Sequence, residues 1–223
     1  QNFSEETMIS GIGFDASNYG YAVVEKSDMV FIPDPSTAVI DPFCEIPTLS
    51  MTGNAMIIDS PENRPLPQYP RNIIRAAVES MKKLGVADTM LILPEFEFYL
   101  FDEVSWGVEA NYIGASVDAK QSYWNSTVDG KGVIVPKQKN YHIAKPFDVS
   151  YECRSEMCLL MKEAGIDINY HHPEVAASGQ FEIEPQLGEV VHMADATMMI
   201  KYIIHNTALK YGKTATSSIL LLS

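Results

Sequence analysis

Three short segments of this chain alternate carboxylates with apolar residues, and together they commit it to a sheet with one acidic face. The first, "PEFEFYLFDE" from Pro94 to Glu103, ends a run from Thr89 to Phe101 whose threonine, leucine, isoleucine and phenylalanine content predicts a strand. Side chains two apart on a strand point to the same face, so Glu95 and Glu97 share one face while Phe96, Phe98 and Leu100 take the other. In "NYHHPEV", Tyr170, His172 and Glu174 share a face, and in "QFEIE", Gln180, Glu182 and Glu184 do. Carboxylates held a few ångströms apart beside apolar surface repel one another and are poorly hydrated, so they require a positive partner. The local sequence supplies no arginine or lysine within several residues of any of them. Hard oxygen donors gathered without basic neighbours are what Mg²⁺ or Mn²⁺ requires. Taken singly, the Glu95/Glu97 pair also reads as a solvated strand face and the paired histidines as an ordinary polar strand; only the conjunction points to metal.

The rest of the chain supplies the layers for such a sheet. From Gly11 to about Leu66 short extended segments alternate with Gly, Pro and Asn, with "AVVE", "MVFI" and "NAMIID" as the predicted strands. "SPENRPLPQYP" carries four prolines in eleven residues and reads as a linker or domain boundary, dividing the chain into residues 1–66 and 67–223. An amphipathic helix is expected from about Arg71 to Leu84, burying Ile74, Ala77, Val78, Met81 and Leu84. Residues Ser105 to Tyr141 follow neither period and read as a long surface excursion with a turn at "DGKG". Further helices are predicted at about Val149 to Ala164 and Val190 to Tyr211, the latter with Met193, Thr197, Ile200, Ile204, Ala208 and Tyr211 on its buried face. Helix, strand, helix, strands, helix is the order of a sheet backed by helices.

A net charge of -13 disfavours nucleic acid and anionic membrane as partners, since both need clustered Lys and Arg. The three cysteines, Cys44, Cys153 and Cys158, are odd in number and lack metal-ligand spacing, which fits buried, reduced thiols in a cytoplasmic protein. The apolar run from Ile219 to Leu222 is far too short to span a bilayer. A polar start without methionine and an abrupt apolar end suggest that both ends are cuts.

"GFDAS" (Gly13 to Ser17), "PDP", "PRNIIRAA", "PEFEFYLFD", "RSEM" (Arg154 to Met157), "HHPEVAASGQFEIE" and "HNTALKYGKTAT" stand in the order and at the spacing found in type I glutamine synthetases. The resemblance runs from Gly11 to Thr216. It implies an α+β chain: a partial β-grasp domain followed by an incomplete catalytic α/β domain. It also implies ATP-dependent ligation of ammonia to glutamate through a γ-glutamyl phosphate. Two Mg²⁺ or Mn²⁺ ions would offset the phosphate charge, Glu97, Glu174 and Glu182 matching the ligands of the inner ion and Glu95 one ligand of the nucleotide-side ion. Asp15 matches the aspartate that takes a proton from ammonium across a subunit boundary. Tyr141 matches a tyrosine of the ammonium pocket, to which Glu174 lends negative charge. The family assembles as cytoplasmic homo-oligomers, dodecamers among them, with active sites between subunits. Where relatives continue into further metal ligands and phosphate-clamping arginines, this sequence runs from Thr216 into "SSILLLS", and Asn169 and Leu187 replace an acidic and an aromatic nucleotide contact. The expectation is therefore a piece of the enzyme that is inactive alone. A γ-glutamyl ligase acting on another amine or a polyamine, and a non-catalytic truncated or regulatory subunit, are the alternatives.

Overall fold

A computed structural model describes residues 4–59, 61–125 and 133–216. The chain divides into two compact units, Gln1–Ile92 with Gly188–Asp195, and Leu93–Leu187 with Ala196–Ser223.

The first unit is built on an antiparallel sheet whose strands run Ile12–Asp15, Asp28–Pro33, Gly53–Ile57 and Arg64–Pro65 in that spatial order. Ala16, Met29, Ala55 and Leu66 form its buried core, with Phe14, Tyr21 and Tyr69 packed against them. "MVFI" lies in a strand as expected, and so does "NAMI" of "NAMIID", whose strand ends at Ile57. "AVVE" does not: Val24–Lys26 is a short 3₁₀ turn, and Val23 and Val24 are exposed, so the β-branched residues have no partner strand to pack against. At Gly53 a Cβ would stand 2.2 Å from the carbonyl oxygen of Ile32, so only glycine lets these two strands approach.

The proline-rich segment is not a free linker. Leu66 is buried in the first core, and the helix Pro70–Lys83, opened by a proline in its first turn, is tied to the same unit. The guanidinium of Arg71, 8% exposed, donates to Asp195 Oδ1 at 2.9 Å, to Asn54 Oδ1 at 2.7 Å and to Asp34 Oδ2 at 2.7 Å. Asn72 donates to the carbonyls of Ala55 and Leu66. The compact unit thus extends past Leu66 to Ile92. Of the apolar stripe expected on this helix only Val78 is buried, and Leu84 is 77% exposed.

The second unit carries the acidic sheet. Its strands lie in the order Ile168–Pro173, Gln180–Pro185, Phe96–Phe101 and Thr214–Thr216, all antiparallel. The expected strand from Thr89 to Phe101 is broken into Leu91–Ile92 and Phe96–Phe101, because Pro94 has no N–H to give to a ladder. Helix Tyr151–Glu163 buries Met157 and Met161, and helix Val190–Lys210 buries Met193, Ile200, Ile203, Ile204 and Ala208. Tyr211, expected on that buried face, is 40% exposed. The stretch read as an excursion contains a hairpin, Glu103–Glu109 with Tyr112–Asp118. Its "DGKG" turn, and everything after Thr216, lie outside the described residues.

Candidate metal centre

The acidic face is assembled by register. Antiparallel pairing sets Glu182 opposite His172 on one side and opposite Glu97 on the other, so these three form a row across neighbouring strands. Glu184 stands opposite Tyr170 in the next row and accepts a hydrogen bond from its hydroxyl. Glu174 follows the end of its strand, where its N–H donates to the Gln180 carbonyl at 2.9 Å. Asn140, 1% exposed, donates to the carbonyls of both Glu174 and Gln180 and pins that turn.

Among the described residues, two groups of donors come together within 4.8 Å: His172 with Glu174 and Glu182, and Glu95 with Glu182 and Glu184. Glu182 belongs to both. Glu97 belongs to neither; its Oε2 accepts from Gln180 Nε2 at 2.7 Å, and it meets Glu174 and Glu95 through their charge. Burial, with the charges of Glu95 and Glu174 opposed by His172, pushes the Glu182 carboxyl up to about 7. Burial, then the charges of Glu174 and Glu95, also raises Glu97. A cluster that resists losing its protons in this way is stabilised by a divalent cation, and carboxylates with one imidazole are a donor set that Mg²⁺ or Mn²⁺ accepts.

Around the row lie rings. His172 is stacked on His142, with centroids 4.2 Å apart and planes 20° apart, and faces Tyr170 on a second contact at 5.6 Å. Tyr141, 56% exposed, meets His172 edge-on at 5.5 Å. Behind the sheet, buried Arg154 makes two hydrogen bonds to Asp148, at 2.9 and 2.6 Å, and packs on the ring of Phe181. Asn169 donates to Glu184 Oε1, and Leu187 is exposed. Asp15 lies in the other compact unit. Its Oδ1 accepts from the Ser17 hydroxyl at 2.6 Å and the Ser17 N–H at 2.9 Å, and these bonds hold its carboxyl below the usual carboxylate range.

Sequence reasoning placed the glutamates and saw His172 on the face of Glu174, but it could not see that His172 and Glu97 flank the same Glu182. That requires register, which the residues of a single strand do not encode. Glu184 was on the correct face and unassigned. Asn140 lay in the aperiodic stretch and His142 directly after it, and neither carried a signal.

Residues 67–219 match the family described as "Glutamine synthetase, catalytic domain", and residues 1–57 the one described as "Glutamine synthetase, beta-Grasp domain". A glutamine synthetase of Aquifex aeolicus is 38% identical over 96% of this chain and 45% of its own length. A 3-hydroxylaminophenol mutase of Cupriavidus pinatubonensis is 37% identical over 96% of this chain and 46% of its own. The solved Plasmodium falciparum glutamine synthetase has the same fold, with a TM-score of 0.82 at 24% identity over 96% of this chain and 42% of that one. The chain spans about half the length of the curated relatives it matches. An α+β chain with both domains of that enzyme in order, and an acidic sheet at the centre of the second, belongs to the glutamine synthetase family.

Proposed function

We propose that these residues supply the inner part of a glutamine synthetase active site, in which the face carrying Glu95, Glu97, Glu174 and Glu182 holds divalent ions. The observation that supports this most is the convergence of two donor groups on Glu182, with its carboxyl raised to about 7 by burial and neighbouring acids. When bound, Mg²⁺ or Mn²⁺ offsets the charge of ATP and of the phosphoryl group that passes to the γ-carboxylate of glutamate. In this reading Glu174, on a turn fixed by Asn140, lends negative charge to the ammonium pocket, and Tyr141, whose exposed ring meets His172, lines it. Asp15, an exposed carboxylate that accepts two hydrogen bonds from Ser17, carries the negative charge that would attract ammonium, and in this reading it accepts the ammonium proton at the site of a neighbouring subunit. The reading includes a cytoplasmic homo-oligomer with sites between subunits.

A second reading has its own support. A relative named as a mutase stands at nearly the same identity and coverage as the synthetases, so membership of the family does not fix the reaction. A ligase for another amine belongs to this second reading as well. The two are separated by grafting these residues into the corresponding part of the Aquifex aeolicus synthetase and assaying the purified chimera. ATP-dependent glutamine formation that Glu182→Gln abolishes supports the first reading. A folded, Mn²⁺-binding chimera that converts other substrates but forms no glutamine overturns it.

A further inference from the structure

We propose that the cavity between residues 142–148 and the helix Tyr151–Glu163 is a binding site for a small organic carboxylate, additional to the metal-binding face. The cavity measures about 290 Å³ and lies wholly within the second compact unit. That is near the lower limit, about 300 Å³, of pockets that enclose small molecules. His171 and His172 point to opposite faces of their strand, and the cavity takes in the His171 face, where Arg154 packs behind the acidic sheet.

The polar lining is left with donors. Among the described residues that line the cavity Asp148 is the one acid, and each of its oxygens already accepts from Arg154. The Nε of Arg154 lies 3.3 Å from His171 Nδ1. A guanidinium only donates, so Nδ1 carries the lone pair and Nε2 the hydrogen, which has no partner among the described residues. Lys145 gives one of its three hydrogens to Glu152, and its ammonium stands 4.7 Å from the centroid of the Tyr151 ring. The Tyr151 hydroxyl has no partner among the described residues either. Hydrogens on Lys145, His171 and Tyr151 call for an acceptor, and charge decides which one. Asp148 offsets Arg154, and Glu152 partly offsets Lys145, so the surplus is at most one positive charge. A carboxylate carries one negative charge and a phosphate nearly two. The ligand's apolar body has Ile143, Pro173 and the imidazole of His142 to pack on, the last stacked on His172 at 4.2 Å. His142 also holds a φ of 52°, a left-handed conformation that residues with side chains keep mostly where a site requires it.

The test is a titration of the 223-residue chain, freed of metal on a chelating resin and labelled in its histidine rings, with benzoate, benzamide and inorganic phosphate, followed by nuclear magnetic resonance. Benzoate is expected to shift the ring signals of His142 and His171 saturably, while the neutral benzamide and phosphate bind roughly tenfold more weakly or less. Lys145→Gln should weaken benzoate roughly tenfold, since a hydrogen bond from a charged donor is lost. Glu152→Gln should have the opposite effect and strengthen it, because Glu152 is a carboxylate of the chain that competes for the same ammonium. Absence of saturable shifts in these rings, equal binding of benzamide, or tighter binding of phosphate overturns the proposal. So does benzoate binding that neither variant alters. Lys145 and Glu152 are both exposed, and should Lys145→Gln still fail to fold, Glu152→Gln decides alone: benzoate bound no more tightly there contradicts a site built on Lys145. Because no metal is present, the outcome stands apart from that of the metal reading.

Discussion

At Glu182 the electrostatics of the site can be measured by protonation. Its carboxyl, ordinarily near 4.5, is raised to about 7 in the folded chain, so between those values the native state binds more protons than the unfolded one. Stability of the metal-free chain on this account falls as pH rises through that window, and the loss is complete above it. Glu97 acts with the same sign. His171, lowered first by burial and then by Arg154, acts with the opposite one near its ordinary 6.5. The carboxyls held low, Asp15, Asp34, Asp102 and Glu156, act only below about pH 4 to 4.5. Comparing wild type with Glu182→Gln removes these other contributions. In the presence of chelator the variant is expected to gain on the wild type between pH 5 and pH 8, by about 1 to 3 kcal/mol in urea melts. A constant difference across that range would contradict the shift. Protons and metal compete for the same oxygens, so the apparent affinity of the wild type for Mn²⁺ should rise over the same interval, which titration calorimetry at several pH values will show.

At the scale of elements, the acidic sheet depends on what backs it. Helix Tyr151–Glu163 is fastened by Arg154, whose bidentate pairing with Asp148 is almost wholly buried and whose Nε donates to His171 Nδ1 at 3.3 Å. Removing the guanidinium leaves Asp148 charged and buried, so Arg154→Ala is expected to cost about 3 to 5 kcal/mol in chemical denaturation. Arg154→Lys should recover little, because one ammonium cannot reproduce the two parallel bonds. Lys145→Ala, which breaks an exposed pair with Glu152, should leave the midpoint where it is. Helices Pro70–Lys83, Tyr151–Glu163 and Val190–Lys210 were legible within a residue or two because apolar period, proline and glycine agree at their ends. Three features were not. Pro94 interrupts the first acidic strand although its neighbours keep the strand pattern, and Val23 and Val24 have β propensity but no partner. The hairpin Glu103–Glu109 with Tyr112–Asp118 leaves Trp106 77% and Ile113 81% exposed, so burial gives it no periodic signature. The glutamates were legible for the converse reason: a period of two survives wherever one face of a strand is buried.

Taken as a whole, the molecule joins a β-grasp domain to a part of the glutamine synthetase catalytic domain, over about 45% of the length of its curated relatives. Among the described residues no helix is long and apolar enough to cross a membrane. Phosphoryl transfer depends on several groups acting together, and losing one contact to a transition state typically costs about 3 to 4 kcal/mol, roughly a hundred- to thousandfold in rate. The 223 residues on their own are therefore expected to form no glutamine in a coupled assay, while still binding metal. Turnover comparable to that of a complete relative would mean that the part of those relatives not matched here is dispensable for the reaction. The account stands most directly on the metal. Titration of the isolated chain with Mn²⁺ at pH 7.5, read by loss of the free-ion resonance, is predicted to show saturable binding that Glu182→Gln weakens tenfold or more, since both donor groups share that residue. Binding that is absent, or that Glu182→Gln leaves unchanged, would contradict it.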